Sequence, residues 1–389
     1  MSSINISPKG SNRLVSVLIT VLGLLLFMLS IDLLTVSMIG LNSEFASSLF
    51  HATNNPFIGL FVGLLMTALI QSSSTVTAMI VAVVASGSLT LGQAVPMVMG
   101  ANIGTTITST LVAFSFIMRR NVFKKALAAG VLHDIFNILT VLILFPLEVY
   151  FGFLSETAFF ITTTFFDFGA MYDDNYQYNV LFTRPITIWI ANLINHPIFL
   201  LIIAVILVFS SIKLLSNFVL KSFMSTNVNK INKHIFHKPF FSFLYGAFFT
   251  SAVQSSTVTT SIIVPAVANR KVSLIKAFPF IIGANIGTTI TAAIAAIYKT
   301  DAAISLAMVH FLFNLIGALL FMPFPSIRNI PVKIATFLGN ESTKTRFVGF
   351  AYILLTFFII PFLLIYFNKN EDIREMGHED RYQKTEIKK

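Results

Sequence analysis

Long uncharged apolar runs constrain this chain more than any other feature. Leu14 to Ile31 is a run of 18 residues without a charge, and Val348 to Phe367 is a run of 20. A helix rises about 1.5 Å per residue, so about 20 apolar residues cross a hydrocarbon core about 30 Å thick. Because the runs are continuous and do not alternate, helices are favoured over the strands of a barrel. The sequence therefore predicts an all-α integral membrane protein.

Composition and charge placement agree with this prediction. The chain is 56% apolar and 11% charged, with a net charge of +10. The positive residues fall in short loops between predicted spans, where they fix orientation, so we expect no nucleic-acid partner. The first apolar run resembles a signal peptide but extends to about Leu41, and we interpret it as a retained span. The absence of cysteine excludes disulfides and thiolate metal sites.

An internal duplication occupies the central part of the chain. Residues 71–108 align without gaps with residues 254–291, at an offset of 183, with 20 identities in 38 positions. Both segments begin with QSS and end with GANIGTTIT. Further along the chain, after a gap of six residues in the alignment, the similarity resumes at four positions. His133, Phe136, Asn137 and Pro146 match His310, Phe313, Asn314 and Pro323. Each copy is therefore expected to form a structural unit of about 100 residues.

Loop charges suggest that the two copies have opposite orientations in the membrane. In the first copy, residues 86–93 carry no charge, whereas residues 118–125 carry four positive charges. In the second copy, residues 269–276 carry three positive charges, and in the later loop Lys299 and Asp301 cancel. Because positive loops stay cytoplasmic, we predict two inverted repeats, an architecture typical of secondary transporters.

Each QSS segment lies between two apolar stretches that are too short to cross a bilayer. Pro56 to Ile70 would form a helix of about 22 Å. We predict a re-entrant helical hairpin in each repeat, at residues 56–86 and 240–268. A surface turn or helix cap is the alternative interpretation of such a polar cluster. In a hairpin, its hydroxyls, amides and helix starts could bind a small oxyanion, and its oxygens could ligate sodium.

The GANIGTTIT segments add further polar groups. Their asparagines and threonines are too polar to face lipid, and their glycines allow local unwinding or close helix packing. His133 and Asn137 share one helix face, as do His310 and Asn314, because they lie one turn apart. A structural role is the default expectation for both histidines and for two acidic residues within or near predicted spans, Asp32 and Asp134.

Two QSS motifs, each followed by GANIGTT, together with HDIFN at residues 133–137, resemble the type II sodium/phosphate cotransporter family. The resemblance covers about residues 56–146 and 240–323 and implies that the two hairpins meet in mid-membrane. The phosphate contacts that it implies are Gln71, Ser72, Ser73, Ser74, Gln254, Ser255, Ser256 and Thr257. The sodium ligands that it implies are Gln254, Asn137, Thr288 and Thr291, with Asn102, Thr105 and Asn285 close by.

The sequence departs from the animal members of that family. Its outer loop, about residues 147–185, is short and has no cysteine, which favours a bacterial inner-membrane member. Where the electrogenic animal forms use a Gln and an Asp after GANIGT, this chain has Phe116 and Arg119, and Ala284 replaces a Ser. These differences leave the number of coupled sodium ions open, and Asp134 is an alternative carboxylate.

The predicted organisation follows from the repeats. Residues 1–146 form the first repeat, with a first span, the hairpin 56–86 and spans at about 93–117 and 124–146. Residues 147–185 form an extracytoplasmic connecting segment. Residues 186–323 form the second repeat, with the hairpin 240–268 and spans at about 277–298 and 302–322. A connector and last span occupy residues 324–367, and a polar tail occupies residues 368–389.

The predicted function is sodium-coupled uptake of inorganic phosphate, with the bilayer as the surrounding medium and no cofactor. The predicted location is the plasma membrane, with several crossings. A phosphate exporter or a carrier of another small oxyanion on the same scaffold is the main alternative. A channel is less favoured. So is a membrane-embedded enzyme, because the hairpin serines have no histidine near them in sequence.

Overall fold

The computed structural model describes residues 13–41, 53–165, 183–224, 235–297 and 299–368. The regular elements of these residues are helices, as the sequence predicts. The helices are Arg13–Gly40 (α1), Pro56–Ile70 (α2), Ser73–Ala85 (α3), Leu91–Gly104 (α4), Ile107–Phe114 (α5), Arg120–Phe151 (α6), Phe153–Phe165 (α7), Arg184–Ile194 (α8), Pro197–Met224 (α9), Pro239–Val253 (α10), Ser256–Ala268 (α11), Leu274–Ala296 (α12), Asp301–Phe321 (α13), Pro325–Glu341 (α14), Phe347–Leu354 (α15) and Ile360–Asn368 (α16).

Seven segments of the described residues are long and apolar enough to cross a membrane. They are Leu18–Gly40, Leu91–Phe114, Arg120–Phe151, Pro197–Leu215, Leu274–Ala296, Asp301–Phe321 and Phe347–Phe367. The last of these joins α15 to α16 through a π-helical turn, Leu355–Ile359. The prediction of a multi-pass, all-α membrane protein is confirmed. Residues 166–182 of the predicted connecting segment and the polar tail after Asn368 lie outside the described residues.

The two predicted hairpins are pairs of short helices with the same turn geometry. Gln71 ends α2 with a φ of 59°, in the left-handed region, and Gln254 ends α10 with a φ of 54°. The next residue in each pair, Ser72 or Ser255, is extended and caps the following helix by accepting a backbone N–H at 3.3 Å. A serine N-cap needs this extended conformation. The QSS sequence therefore ends one helix and starts another within two residues.

Each hairpin packs against the GANIG helix of its own repeat through paired glycines. A Cβ at Gly63 of α2 would overlap the carbonyl oxygen of Met97, and one at Gly100 of α4 would overlap that of Leu60. The equivalent glycines of the second repeat, Gly246 and Gly283, meet the carbonyls of Phe280 and Phe243 in the same way. Such close approach of backbones is possible only for residues without a side chain. One turn further along, Gly104 meets the carbonyl of Leu64 and Gly287 meets that of Ala247. The contacts therefore advance in the same direction on both helices, and each pair is parallel.

The predicted span at about residues 93–117 is interrupted in the structure. Helix α4 ends at Gly104 and α5 begins at Ile107, whereas α12 runs unbroken through the identical GANIGTTIT sequence. Thr105 and Thr106 keep right-handed helical dihedrals, and the N–H and hydroxyl of Thr106 both donate to the carbonyl of Ile103. The interruption is therefore a tightened turn within one span and not an unwound segment. The surroundings of the two segments differ. Asp134 lies near this turn, and its equivalent in the second repeat is Phe311.

The two repeats share one interior. The ring of Phe136 on α6 lies 5.8 Å from that of Phe278 on α12 and 5.6 Å from that of Phe321 on α13. Edge-to-face pairs of this kind stabilise a packed core beyond the burial of their area. The interface between the halves therefore runs beside His133 and Asn137, which lie on the same stretch of α6 as Phe136.

A buried ionic cluster ties α1 to the second repeat. Asp32 accepts from Lys299 at 3.0 Å and from Arg184 at 3.2 Å. Asp32 and Lys299 are 1% and 3% exposed, so the pair is shielded from water. Burial lowers the pKa of Lys299 below its ordinary value, although the attraction of Asp32 opposes the change. The cluster holds the start of α8 and the α12–α13 loop against α1.

The basic loops of the two repeats lie near each other. Arg270, in the loop between α11 and α12, is close enough to Lys125, in the first turns of α6, to repel it. These loops are the two that the sequence assigns to the cytoplasmic side. Their proximity supports the predicted inversion of the repeats, which stays a prediction.

Candidate functional site

The tips of the two hairpins meet in the structure. The hydroxyl of Thr257 in the second hairpin donates to the backbone carbonyl of Gln71 in the first hairpin at 3.2 Å. One turn further along α11, Thr260 is 3.0 Å from the hydroxyl of Ser109 on α5. Residues 186 and 151 positions apart in sequence are thus brought into hydrogen-bonding contact. The meeting of the QSS segments is the central feature of the candidate site.

The meeting point presents hydroxyls at the starts of two helices. Ser73 and Ser74 begin α3, and Ser256 and Thr257 begin α11; all four are buried. A helix N-terminus carries a partial positive charge and donor N–H groups, which attract anions. Hydroxyls can add further donors to an oxyanion. The arrangement can therefore bind a small oxyanion between two helix starts.

The two tips differ in exposure. Gln254 is only 6% exposed, whereas Gln71 is an exposed residue. The difference is confined to the glutamines, because Ser72 and Ser255, which follow them, are both partly buried. The glutamine side chain is therefore accessible at the first tip and covered at the second.

Two oxygen-bearing side chains of the second repeat lie buried without partners. Parallel packing brings Ser251 of α10 against Gly287 of α12, with a hydrogen bond of 3.3 Å. One turn further on each helix come Gln254 and Thr291. Neither Gln254 Oε1 nor Thr291 Oγ1 has a hydrogen-bond partner among the described residues. Buried oxygens without protein partners are suited to a hard cation such as sodium.

A chain of hydrogen bonds joins the remaining asparagines across the repeats. Asn285 on α12 contacts His133 Nε2 through Oδ1 at 2.5 Å and donates through Nδ2 to Asn137 Oδ1 at 2.7 Å. Asn137 in turn donates to the carbonyl of Asn102 at 2.7 Å. Because Nε2 faces a carbonyl oxygen, it must carry the proton. The series of hydrogen bonds therefore runs from α6 to α12, back to α6 and on to α4.

The other predicted sodium ligands lie around this chain. Thr288 donates to the carbonyl of Asn285 at 2.6 Å, and Thr105 donates to that of Ala101 at 3.0 Å. The structure thus joins the three asparagines in one hydrogen-bonded group, while Thr288 and Thr105 each bond back to a carbonyl of their own helix. Gln254 and Thr291 lie one turn beyond the contact between Ser251 and Gly287.

Sequence reasoning expected His133 to be a structural hydrogen bonder, and His133 does bond to Asn285. It missed one other participant. It did not single out Tyr352, whose hydroxyl donates to Asp134 Oδ2 beside the π-helical turn of the last span. The one-turn spacing of His133 and Asn137 was a usable signal, whereas nothing in the sequence pairs Tyr352 with Asp134.

Comparison with known proteins gives a consistent picture. A family model described as Na+/Pi-cotransporter matches residues 26–170 and 206–339, more than half of the chain. The chain is 31% identical over 421 residues to sodium-dependent phosphate transport protein 2A of Rattus norvegicus, covering 88% of this chain and 66% of the rat protein. It is also 31% identical over 443 residues to protein 2B of Homo sapiens, covering 88% of this chain and 64% of that protein.

The chain thus spans slightly less than two thirds of the length of these relatives. No solved structure matches it. The family match covers both hairpins and both GANIGTTIT segments, the same residues that carry the resemblance in the sequence. The chain therefore belongs to the Na+/Pi-cotransporter family, that of the type II sodium/phosphate cotransporters.

Proposed function

We propose that this protein is a secondary transporter that takes up inorganic phosphate together with sodium by alternating access. The observation that carries the proposal is the meeting of two QSS turns, each at the start of a helix, through Thr257 and Gln71. The names of the relatives, which describe sodium-dependent phosphate transport, support the choice of substrates. Sodium acts here as a co-substrate, and the mechanism requires no organic cofactor.

Phosphate would lie between the two hairpin tips. Gln71, Ser72, Ser73 and Ser74 would contact it from one side, and Gln254, Ser255, Ser256 and Thr257 from the other. Their side chains are neutral, so recognition would depend on hydrogen bonds and helix starts. Neutral donors bind phosphate without holding it so strongly that release becomes slow, which suits a carrier.

Sodium would bind next to the second hairpin turn. The unpartnered oxygens of Gln254 and Thr291 supply two ligands, and Asn137 and Thr288 supply others, with Asn102, Thr105 and Asn285 close by. Gln254 would then contact both substrates. A residue shared by cation and anion sites gives a direct reason for coupling, because each ion stabilises the other's site.

Two alternatives use the same scaffold. An exporter would share the site and differ in direction, and a carrier of another oxyanion would differ in selectivity. A membrane-embedded enzyme is disfavoured, because Ser72 and Ser255 use their hydroxyls to cap their own helices and not to contact a base. We further propose that the protein lies in the plasma membrane, as an inner-membrane protein of a bacterium.

Binding of phosphate to purified protein tests the proposed substrates. Radiolabelled phosphate should bind in sodium chloride and bind at least about tenfold more weakly in choline chloride, since one missing ion partner costs about 1.4 kcal/mol or more. Excess unlabelled phosphate should displace the label and excess sulfate should not. Equal displacement by sulfate would favour the general oxyanion carrier, and equal binding in choline would contradict sodium coupling.

A further inference from the structure

The two copies of the His–Asn motif make different hydrogen bonds, although their residues match. At the first crossing, where α6 meets α12, Asn285 binds His133 through Oδ1 and Asn137 Oδ1 through Nδ2. At the second crossing, where α13 meets α4, repeat equivalence places Asn102 opposite His310 and Asn314. If the copies were alike, Asn102 would bind His310 through Oδ1 and Asn314 Oδ1 through Nδ2.

The second crossing is open in this structure. Asn102 turns its amide back to its own helix and donates to the carbonyl of Val98 at 2.9 Å. Asn314 Nδ2 reaches Asn102 Oδ1 only at 3.5 Å and also donates to the carbonyl of His310 at 2.9 Å. The first crossing is closed and the second is loosened, within one molecule.

The atoms that would close the second crossing are present and unused. His310 Nε2 and Asn314 Oδ1 have no hydrogen-bond partner among the described residues. His310 is 0% exposed and Asn314 is 1% exposed, so water does not reach these side chains from the surface. Buried polar groups are normally paired. Two unpaired groups at the positions required by repeat equivalence therefore indicate a second arrangement in which they are paired.

We propose that the two crossings are latches that close alternately, one in each end state of the transport cycle. The proposal rests on the proposed function, since it assumes two end states in which the repeats exchange their arrangements. In the state described here, His133 and Asn137 hold Asn285. In the opposite state, Asn102 turns from Val98 to His310 and Asn314, and Asn285 is released.

The latch also links to sodium. In the present state Asn137 Oδ1 accepts from Asn285, so one oxygen of a proposed sodium ligand is engaged. Opening the first crossing frees that oxygen. Sodium would then bind preferentially to the state with an open first crossing and a closed second crossing, and His133 would act as a positioning residue through Asn285.

Paired cysteine reporters at the hairpin tips test the latches. The native chain has no cysteine, so Ser72→Cys and Ser255→Cys can be labelled one at a time with a thiol reagent in detergent. Both serines are partly buried, and they follow the exposed Gln71 and the covered Gln254. A change in the ratio of their labelling rates therefore reports a change in the relative accessibility of the two tips. His133→Ala removes a bond of the present state and should raise the relative reactivity of position 255. His310→Ala removes a bond of the opposite state and should lower it.

Each shift should be about threefold to tenfold, the change in a two-state equilibrium that one hydrogen bond produces. Asn314→Ala should act like His310→Ala. His133→Gln keeps a hydrogen-bond donor, so its labelling ratio should stay near that of the parent. The labelling ratio of the double variant His133→Ala/His310→Ala should return toward the parent value. A structural role for either histidine does not produce opposite shifts that cancel.

Shifts in the same direction, or an unchanged ratio in both His310→Ala and Asn314→Ala, would overturn the proposal. If His133→Ala yields no folded protein, His310→Ala and Asn314→Ala are sufficient to test the proposal. The labelling needs neither phosphate nor sodium, so its failure leaves the proposed transport intact. Adding sodium to the parent should shift the labelling ratio in the same direction as His133→Ala does. If sodium has no effect while the two histidine variants still shift the ratio in opposite directions, the latches stand and their link to sodium is contradicted.

Discussion

At the residue scale, the paired glutamines are the most informative positions of the chain. Each adopts a left-handed backbone conformation that residues other than glycine, asparagine and aspartate seldom adopt. Glycine would adopt this conformation with less strain, so a glutamine at both positions indicates that its side chain has a function. In the proposed transport that function is contact with phosphate at both tips and with sodium at Gln254.

Removing either glutamine side chain should abolish transport. In Gln71→Ala and Gln254→Ala, the substrate loses a buried hydrogen-bonding partner that water cannot replace, while the short turn keeps its backbone. Phosphate uptake into liposomes containing each purified variant is the measurement. Thr336→Ala, which removes an exposed hydroxyl that bonds only to the carbonyl of Val332, is the matched control. Normal uptake by a glutamine variant would contradict its place in the site.

The sequence singles out candidate site residues but does not predict their hydrogen-bond partners. The QSS and GANIGTTIT segments can be recognised as candidate site segments because each polar segment occurs twice, between apolar stretches. The bond between His133 and Asn285 spans 152 positions, so no local pattern predicts it. The same holds for Asp134 and Tyr352, since Tyr352 lies outside both repeats.

At the element scale, the glycine pairs determine how closely each hairpin lies on its partner helix. Gly283 meets the carbonyl of Phe243, and Gly100 meets that of Leu60. The sequence indicated that these glycines permit either unwinding or close packing. Close packing occurs in both repeats. The first repeat adds a tightened turn at Thr105 and Thr106, which keep right-handed helical dihedrals, whereas α12 of the second repeat is continuous.

A methyl group at these contacts should destabilise the protein. Gly283→Ala would push Phe243 and its helix outward, at a cost of about 1–3 kcal/mol, the usual range for overpacking. Gly92→Ala is the matched control, because a Cβ at Gly92 meets nothing within 4 Å. The measurement is the melting temperature of each variant in detergent. Equal melting temperatures for the two variants would show that the backbones can separate without cost.

The broken first copy of GANIGTTIT shows where element prediction must fail. Identical residues form a continuous helix in one repeat and two helices in the other. The nine identical residues cannot by themselves separate these outcomes. The flanking residues differ, with Ser109–Phe114 after the first copy and Ala292–Ala296 after the second, and Asp134 beside the first copy has no counterpart in the second repeat.

At the scale of the whole molecule, Asp32, Arg184 and Lys299 join parts of the chain that the repeats do not connect. Sequence reasoning treated Asp32 as structural, and its contacts agree with that interpretation. Lys299 lies in the loop between α12 and α13, as the sequence predicts. Its ammonium group also pairs with Asp32, 267 positions earlier.

Breaking this cluster should destabilise the fold strongly. Asp32→Asn leaves the buried Lys299 without its carboxylate, and removing one partner of a buried pair costs about 3–5 kcal/mol. Asp32→Asn/Lys299→Met removes both charges and should recover most of the loss. Melting temperatures in detergent measure both effects. A single variant as stable as the parent would mean that water reaches Lys299 easily.

The predicted inversion of the repeats places equivalent connectors on opposite sides of the membrane. Ser88→Cys and Lys271→Cys, introduced singly, provide unique labelling sites because the chain has no native cysteine. In intact cells an impermeant thiol reagent should label Ser88→Cys and should not label Lys271→Cys, since Lys271 lies in a basic loop. After membrane permeabilisation both should react. Labelling of both in intact cells would contradict the inversion.

The central claim is coupled transport of sodium and phosphate, and uptake into proteoliposomes tests it most directly. With an inward sodium gradient, purified protein should accumulate radiolabelled phosphate above its external concentration. With equal sodium on both sides, phosphate should only reach the same concentration inside and outside. Liposomes containing Gln254→Ala should show neither accumulation nor equilibration of phosphate. Accumulation that requires the gradient would support the account; a phosphate flux that is the same with and without sodium would contradict it and favour a channel or an uncoupled carrier.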